Sequence, residues 1–223
     1  MTLVMPSSIA LVVAFHGRKV RRMLAKHATL SPFARLSFEH RQIDRVLAAM
    51  AEVVVRTRAG SEPNYDFFAL SVAFLEHYVD ERHHVKEEAL FEALIACGFR
   101  PDGPIGCMLH QHQRGRQLVQ ILREWVDSDP DARAVRLDEM LGVATQYIEL
   151  LWHHIATEDN GIFPTAALGL GDAPRLVLTT RSEQLDPSPP AEFAAAADAL
   201  VRLAERFSRE SGPFLASLRL PCP

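Results

Sequence analysis

Two short stretches of the chain place a pair of histidines ahead of a glutamate in strongly helical surroundings. They read His83-His84-Val85-Lys86-Glu87-Glu88 and His153-His154-Ile155-Ala156-Thr157-Glu158. In each stretch a histidine stands four residues before a glutamate. On an α-helix, residues four apart lie one turn apart on the same face, so an imidazole nitrogen and a carboxylate oxygen can bind one ion or two adjacent ions. The spacing therefore indicates a metal site.

Two further histidines occupy positions that a helical core would bury. His40 is the one polar member of an otherwise apolar seam with steps of three and four residues, and His112 holds a similar position on a later helix. A metal ligand inside a helical bundle must project from the buried face of its helix. We therefore expect both side chains to point inward.

The same criterion chooses between the neighbours in the first stretch. His83 and Glu87 share the apolar face of their helix. His84 and Glu88 lie on an adjacent face that is more polar. The pattern favours His83 with Glu87, and His84 with Glu88 remains the alternative.

In the second stretch, His154 and Glu158 lie on the apolar stripe of their helix, whereas His153 lies on a polar face. Two buried carboxylates without partners would cost several kcal/mol each, and bound cations remove this cost. The predicted metal ligands are His40, His83, Glu87, His112, His154 and Glu158.

The size of this ligand set predicts two metal ions. Four imidazoles and two carboxylates exceed the four tetrahedral positions of a structural zinc site, and cysteine ligands are absent from the set. Carboxylates can bridge two cations while two imidazoles complete the coordination on each side. Such mixed nitrogen and oxygen ligation favours two non-haem iron ions over manganese or zinc.

Four predicted helices position these ligands. They cover about residues 31–58, 65–96, 104–126 and 132–159. Ser31-Pro32 is typical of a helix start, and Gly161 with Pro164 is expected to end the last helix. Because short polar loops join the helices, the sequence predicts an all-α, antiparallel up-down-up-down four-helix bundle.

The predicted metal-binding domain covers residues 31–165. Residues 1–30 are interpreted as a poorly specified N-terminal extension, and residues 166–223 as a linker with one extra helix over about 191–208. The apolar stripe of that helix can pack on the bundle or on a protein partner, including a second copy of the chain.

Composition argues against several classes of function. The 223 residues include 24 basic and 28 acidic side chains, a formal net charge of −4, and they lack the basic stripe that nucleic-acid binding requires. Three widely spaced cysteines do not form a disulfide framework, which favours a cytoplasmic location. The apolar run at residues 9–15 is too short to cross a membrane.

Four motifs along the chain are together typical of one known family. They are Phe38-Glu39-His40-Arg41, the stretch from His83 to Phe91, Gly103-Pro104-Ile105-Gly106 leading to Gln111-His112, and the stretch from His154 to Pro164. With these motifs the chain resembles the hemerythrin-like proteins, the HHE cation-binding family, over about residues 31–165. The resemblance implies a four-helix bundle with a non-haem di-iron centre, held by the same six ligands.

The third helix distinguishes branches of that family. Oxygen-carrying invertebrate hemerythrins have two histidines four residues apart there, whereas His112 has Met108 and Arg116 at those spacings. The chain more closely resembles the bacterial branch that includes iron-sulfur cluster repair proteins. The N-terminal di-cysteine motif typical of the repair proteins is absent from this sequence.

The ligand set and the resemblance favour a protein that binds O2, peroxide or nitric oxide at an open iron position, in sensing, storage or stress defence. One alternative is a di-iron enzyme, oxidase-like, peroxidase-like or active in iron-sulfur cluster repair. Tyr147 is its candidate proton donor, although a core position is the simpler interpretation of this residue. Another alternative is a regulatory interaction module that the metal stabilises. The sequence does not decide whether the protein is an enzyme.

Overall fold

The computed structural model describes residues 31–187 and 190–210. Within these ranges the chain is mostly helical and contains no strand, which confirms the predicted all-α class. The predicted N-terminal extension, residues 1–30, lies outside the described residues, as do residues 211–223.

Four long helical stretches carry the candidate ligands, and two further helices follow them. The α-helices are α1 (Pro32–Arg58), α2 (Tyr65–Phe74), α3 (Val85–Ala96), α4 (Pro104–Val126), α5 (Pro130–Val135), α6 (Leu137–Thr157), α7 (Phe163–Gly169), α8 (Asp172–Leu185) and α9 (Pro190–Glu210). Two π-helices, π1 (Leu75–His84) and π2 (Glu158–Ile162), join α2 to α3 and α6 to α7. The long stretches are therefore α1, α2–π1–α3, α4 and α6–π2–α7.

A polar cap and two glycines fix helix ends where the sequence predicts them. Ser31 Oγ accepts a hydrogen bond from the backbone N–H of Ala34 at 3.2 Å, with Pro32 in the first turn. Gly60 and Gly98 follow α1 and α3 with φ angles of 98° and 94°. Glycine adopts this left-handed conformation without the steric cost that a Cβ imposes. The chain therefore leaves both helices at these positions.

Gly161 and Pro164 do not end the last long stretch, so this part of the prediction is wrong. The helix widens into π2 at Glu158 and continues through α7. The backbone N–H of Phe163 donates to the carbonyl of Glu158, which is the last π-type bond. Pro164 follows this bond in the first turn of α7, where its missing N–H is not needed. The π-helix thus accommodates the proline.

The C-terminal region contains two helices where the sequence predicts one. Helix α9 covers the predicted segment, but α8 lies in the stretch interpreted as linker. Leu178 and Ser182 are the buried residues of α8, which packs against α3 and α1. Because α8 buries so few apolar side chains, its sequence shows only a weak amphipathic pattern. The helices that it packs against are also distant in sequence, so no local pattern indicates this contact.

The buried side chains form two apolar clusters, with the candidate ligands between them. Along α1, Leu36 belongs to one cluster and Ile43 to the other, on either side of His40. Along α4, Met108 and Leu118 flank His112 in the same way. The ligands therefore lie deep in the bundle, with apolar packing above and below.

Helix α9 packs on the bundle, mainly against α1. Its buried residues, Phe193, Ala197, Leu200, Ala204 and Phe207, join the larger apolar cluster. This decides between the two sequence-based interpretations of its apolar stripe. Among the described residues, none of the helices combines the length and the hydropathy that crossing a bilayer requires.

Candidate metal centre

One group of candidate ligands forms where α1 meets the junction of π1 and α3. His40 Nε2 lies 3.0 Å from Glu87 Oε1, and His83 Nε2 lies 2.8 Å from the same oxygen. The two imidazole rings meet edge to face, with their centroids 4.8 Å apart. All three side chains are buried, and their ligand atoms lie within 4.8 Å of one another. These three donors can therefore surround one cation.

A second group contains the same glutamate and three other histidines, from π1, α4 and α6. His112 Nε2 lies 3.3 Å and His154 Nε2 3.7 Å from Glu87 Oε2. The ring of His84 stacks on that of His112 at a centroid distance of 3.9 Å. These four side chains are buried, and their ligand atoms also lie within 4.8 Å of one another. The second group can therefore surround a second cation.

The two glutamates connect the groups. Glu87 turns Oε1 towards His40 and Oε2 towards His112. Glu158 Oε2 lies 3.2 Å from His40 Nε2 and 3.3 Å from His154 Nε2. Each carboxylate therefore lies against imidazoles of both groups.

A polar side chain lies within 3.2 Å of the outer ring nitrogen of each of the five histidines. His40 Nδ1 lies 3.1 Å from Asp159, His83 Nδ1 2.9 Å from Glu39, and His84 Nδ1 3.0 Å from Asp80. His112 Nδ1 lies 3.2 Å from Glu88, and His154 Nδ1 lies 3.1 Å from Gln111. Metal-binding histidines usually donate their second ring N–H to such a group, which fixes the tautomer and the direction of the ring. All five Nε2 atoms are thereby left to face the interior.

Comparison with known proteins decides the family. A family model described as the hemerythrin HHE cation binding domain matches residues 31–166, more than half of the chain. The chain belongs to this hemerythrin family. The matched residues include both ligand groups of the hemerythrin bundle.

Two curated relatives are similar to part of the chain. The iron-sulfur cluster repair protein YtfE of Edwardsiella ictaluri (strain 93-146) is 28% identical over 137 residues, which cover 60% of each chain. YtfE of Dickeya chrysanthemi (strain Ech1591) is 26% identical over 140 residues, which cover 61% of this chain and 63% of the relative. The chain thus spans about three fifths of the length of these relatives. No solved structure matches it significantly.

His84 lies in the second ligand group, although an α-helical period assigns it to a polar face, and that face assignment is wrong. His84 is 3% exposed, and His83 beside it is 1% exposed. Hydrogen bonds in a π-helix close over five residues, so each turn of π1 holds more residues than an α-helical turn. The two neighbours therefore both face inward, one towards each ligand group. Asp80, four residues before His84, is the sequence signal that could have identified it.

Glu88 belongs to neither ligand group. It lies at the edge of the bundle, where it accepts hydrogen bonds from His112 Nδ1 at 3.2 Å and from Arg116 at 2.6 Å. These two bonds and the Arg116 charge lower the pKa of Glu88 to about 2, although burial opposes the shift. Glu88 therefore orients a candidate ligand, whereas the buried Glu87 faces the ligand groups.

The donor set of the hemerythrin site fits metal ions. Among the residues that the structure describes, His84 Nε2 and Glu158 Oε1 are buried without a hydrogen-bonding partner. An unsatisfied buried polar atom costs about 1–3 kcal/mol, and a bound cation would offset that cost. Both ligand groups can therefore hold metal.

Burial and neighbouring charges set the pKa values of these groups. Burial raises the pKa of Glu87, but the charge on His83 and hydrogen bonds from nearby histidines outweigh it and hold this pKa well below its usual value. Burial lowers the pKa of His154, but interactions with Glu158 and Glu87 raise it to about 9. Burial keeps the pKa of His84 well below its usual value. Glu87 is therefore anionic and His84 neutral, the forms that bind cations.

The remaining candidates lie away from the ligand groups. His110 and His153 are exposed, as their positions off the apolar stripes predict. Tyr147 is buried in the larger apolar cluster, and burial raises its pKa. The tyrosine therefore contributes to the hemerythrin core.

Proposed function

We propose that the chain holds two iron ions, one in each ligand group, and binds O2, peroxide or nitric oxide at an open iron position. The observation that supports this most directly is the common orientation of five buried imidazoles, each with Nε2 inward and Nδ1 within 3.2 Å of a polar side chain. A core built only for stability would gain nothing from so many converging donors. Sensing, storage or stress defence is the role that this chemistry serves.

The proposed ligands are the six residues predicted from sequence, with one addition. They are His40, His83, Glu87, His112, His154 and Glu158, with His84 as a fifth imidazole. His40 and His83 would hold one ion, and His84, His112 and His154 would hold the other, with both glutamates beside the two groups. The group with fewer imidazoles would leave more room for an external ligand. When bound, iron would supply redox chemistry and affinity for diatomic molecules.

Apolar rings shelter the proposed centre from water. The ring of Phe163 stacks on His40 at a centroid distance of 5.3 Å, and that of Phe91 lies 6.0 Å from His112. Both phenylalanines belong to the smaller apolar cluster. This packing favours small uncharged ligands over larger polar substrates.

Iron-sulfur cluster repair is the second candidate function, and the names of the two relatives support it. The same ligand groups would then supply iron to a damaged cluster on a protein partner. Transfer of isotopically labelled iron from this protein to a cluster-depleted acceptor distinguishes this function from ligand binding alone.

We also propose the domain arrangement that the sequence predicts. The four long stretches follow an antiparallel up-down-up-down order, and residues 31–165 form the metal-binding domain. The protein works in the cytoplasm with a small-molecule ligand, without a nucleic-acid or membrane partner.

Metal content tests the proposal first. Protein expressed in iron-replete medium and purified without a tag or chelator is analysed for metals, and its absorption spectrum is recorded before and after anaerobic reduction. We expect close to two irons per chain and a spectrum that changes on reduction and again when nitric oxide or O2 is added. Protein that contains only zinc, or no metal, would contradict the proposal.

A further inference from the structure

A buried lysine lies beside the ligand groups, between two carboxylates. Lys86 Nζ donates to Glu39 Oε1 and to Asp186 Oδ2, both at 2.7 Å. Lys86 and Glu39 are each 1% exposed, and Asp186 is 3% exposed. Burying an unpaired ammonium costs several kcal/mol, so these three charges must be brought together as the chain folds.

The hydrogen bonds continue from this lysine into the first ligand group. Glu39 Oε2 accepts a hydrogen bond from His83 Nδ1 at 2.9 Å, and His83 Nε2 lies 2.8 Å from Glu87 Oε1. Glu39 therefore interacts with Lys86 through one oxygen and with a candidate metal ligand through the other. Burial raises the pKa of Glu39, but His83 and Lys86 together lower it below its usual value.

Asp186, the residue of this hydrogen-bonded series that is farthest from the ligand groups, belongs to the C-terminal region. Asp186 follows α8 and lies outside residues 31–166, which the hemerythrin family model matches. Arg82 Nε donates to Asp186 Oδ1 at 3.1 Å, and Arg35 Nη2 donates to the backbone carbonyl of Asp186 at 2.9 Å. Arg82 also reaches Glu192 of α9 at 3.4 Å. Charged side chains thus fix Asp186 and Glu192 against the bundle.

We propose that Asp186 is a positioning residue for the metal centre, acting on His83 through Lys86 and Glu39. This inference rests on the proposed function, because it requires a metal ion at His83. Asp186 compensates part of the Lys86 charge, so Glu39 remains a strong acceptor for the His83 N–H. A strong acceptor at Nδ1 fixes the ring and makes Nε2 a better donor to the metal.

Asp186→Asn tests the proposal in the full-length, iron-loaded protein. The substitution keeps the shape of the side chain and removes its charge, so Lys86 draws more strongly on Glu39 and weakens the acceptor for His83. A weaker imidazole donor stabilises the oxidised metal less. We expect the reduction potential of the centre to rise and the metal affinity to fall several-fold, within the ~10–100-fold range of losses typical when a supporting group is removed.

Arg82→Gln provides a test with the opposite sign. It removes a cation that competes with Lys86 for Asp186, so Asp186 compensates the lysine more fully. Glu39 then becomes a stronger acceptor for His83, and we expect the reduction potential to fall. A purely structural role for Asp186 would not produce opposite shifts in the two variants.

Asp198→Asn is the matched control, because Asp198 pairs with Arg45 at 2.6 Å between α9 and α1 but is 42% exposed. It should leave the potential and the metal affinity unchanged. Circular dichroism of the metal-free variants shows whether each one folds. If Asp186→Asn does not fold, two other variants test the positioning role. Arg82→Gln should lower the reduction potential, and Asp186→Glu, which keeps the negative charge, should leave it near the wild-type value.

Two outcomes separate this inference from the proposed function. Wild-type protein that binds no metal contradicts both. If the wild-type protein binds two irons, two results contradict the positioning role alone. In one, the Asp186 and Arg82 variants behave like Asp198→Asn; in the other, their reduction potentials shift in the same direction.

Discussion

At the residue scale, the two nitrogens of each candidate imidazole have different surroundings. The inner Nε2 atoms face one another and two glutamates, and the outer Nδ1 atoms face carboxylates or an amide. The outer contacts fix the rings, and the inner positions are those at which cations can bind.

Substitution of His84 tests whether it is a fifth imidazole ligand. We expect His84→Ala to lower the metal content of the second group, because that group loses one of its three imidazoles. Elemental analysis of purified protein measures this effect. His153→Ala is the control, since His153 is an exposed neighbour of His154, and it should retain wild-type metal content. Equal metal content in the two variants would remove His84 from the ligand set.

Metal affinity should increase with pH above neutrality. Without bound metal, the pKa of His154 is about 9, compared with about 6.5 for an unperturbed histidine. A metal ion that binds at pH 7 must displace this proton. We expect apparent affinity to rise about tenfold per pH unit for each displaced proton between pH 7 and 9. Competition with a chelator of known pH dependence measures the profile, and a flat profile would contradict the proton displacement.

Stability of the metal-free protein should change in the opposite direction. The folded-state pKa of His154 is raised, so its pairing with Glu158 stabilises the fold fully below about pH 6.5, and this contribution is lost as pH rises through about 9. We expect the free energy of unfolding of the metal-free protein to fall over that range. Urea unfolding at several pH values measures it, and His154→Ala should show a weaker pH dependence, because the raised pKa values of His40 and His112 remain.

At the element scale, the two π-helices explain where sequence-based prediction succeeded and where it failed. The stripes on α1 and α4 follow an α-helical period throughout, so the burial of His40 and His112 could be predicted. The period changes within π1 and π2, and two of the errors lie there: the face of His84 and the helix end predicted at Gly161. A fixed period of 3.6 residues cannot represent a local widening, which depends on tertiary packing.

Glycine substitutions test the continuity of π2 into α7. A Cβ at Gly161 would meet no atom within 4 Å, so we expect Gly161→Ala to raise the free energy of unfolding by about 0.4–1 kcal/mol with unchanged metal content. Gly98→Ala should instead destabilise the protein by about 1 kcal/mol or more, because φ at Gly98 is 94°. Denaturant titration compares the two. Destabilisation by both would show that Gly161 ends a helix.

At the scale of the whole molecule, the C-terminal helices complete the core and extend its polar contacts. Helix α9 contributes to the larger apolar cluster, and Asp186 reaches Lys86 across 100 residues of sequence. Local patterns predicted the amphipathic face of α9 but not the surface that it covers. They could not predict the Lys86–Asp186 contact, because a buried ion pair between distant residues leaves no periodic signal.

Leu200→Ala tests whether α9 is part of the folded core. Leu200 is 4% exposed in the larger cluster, so we expect a loss of about 2–5 kcal/mol in the free energy of unfolding. Leu176→Ala on α8 is the matched control, because Leu176 is 69% exposed and its loss should change stability by less than about 0.5 kcal/mol. Similar values for both variants would mean that α9 does not stabilise the bundle.

The depth of the ligand groups also affects how quickly metal can exchange. Each of the seven candidate ligands is 3% exposed or less, so a hydrated cation cannot reach them unless the bundle opens locally. A neutral diatomic molecule is small enough to pass through brief gaps between side chains. We therefore expect ligand exchange to be fast and metal exchange to be slow. The iron in each molecule would then reflect the supply when the chain folded, and later changes in cellular iron would reach it only at the rate of opening.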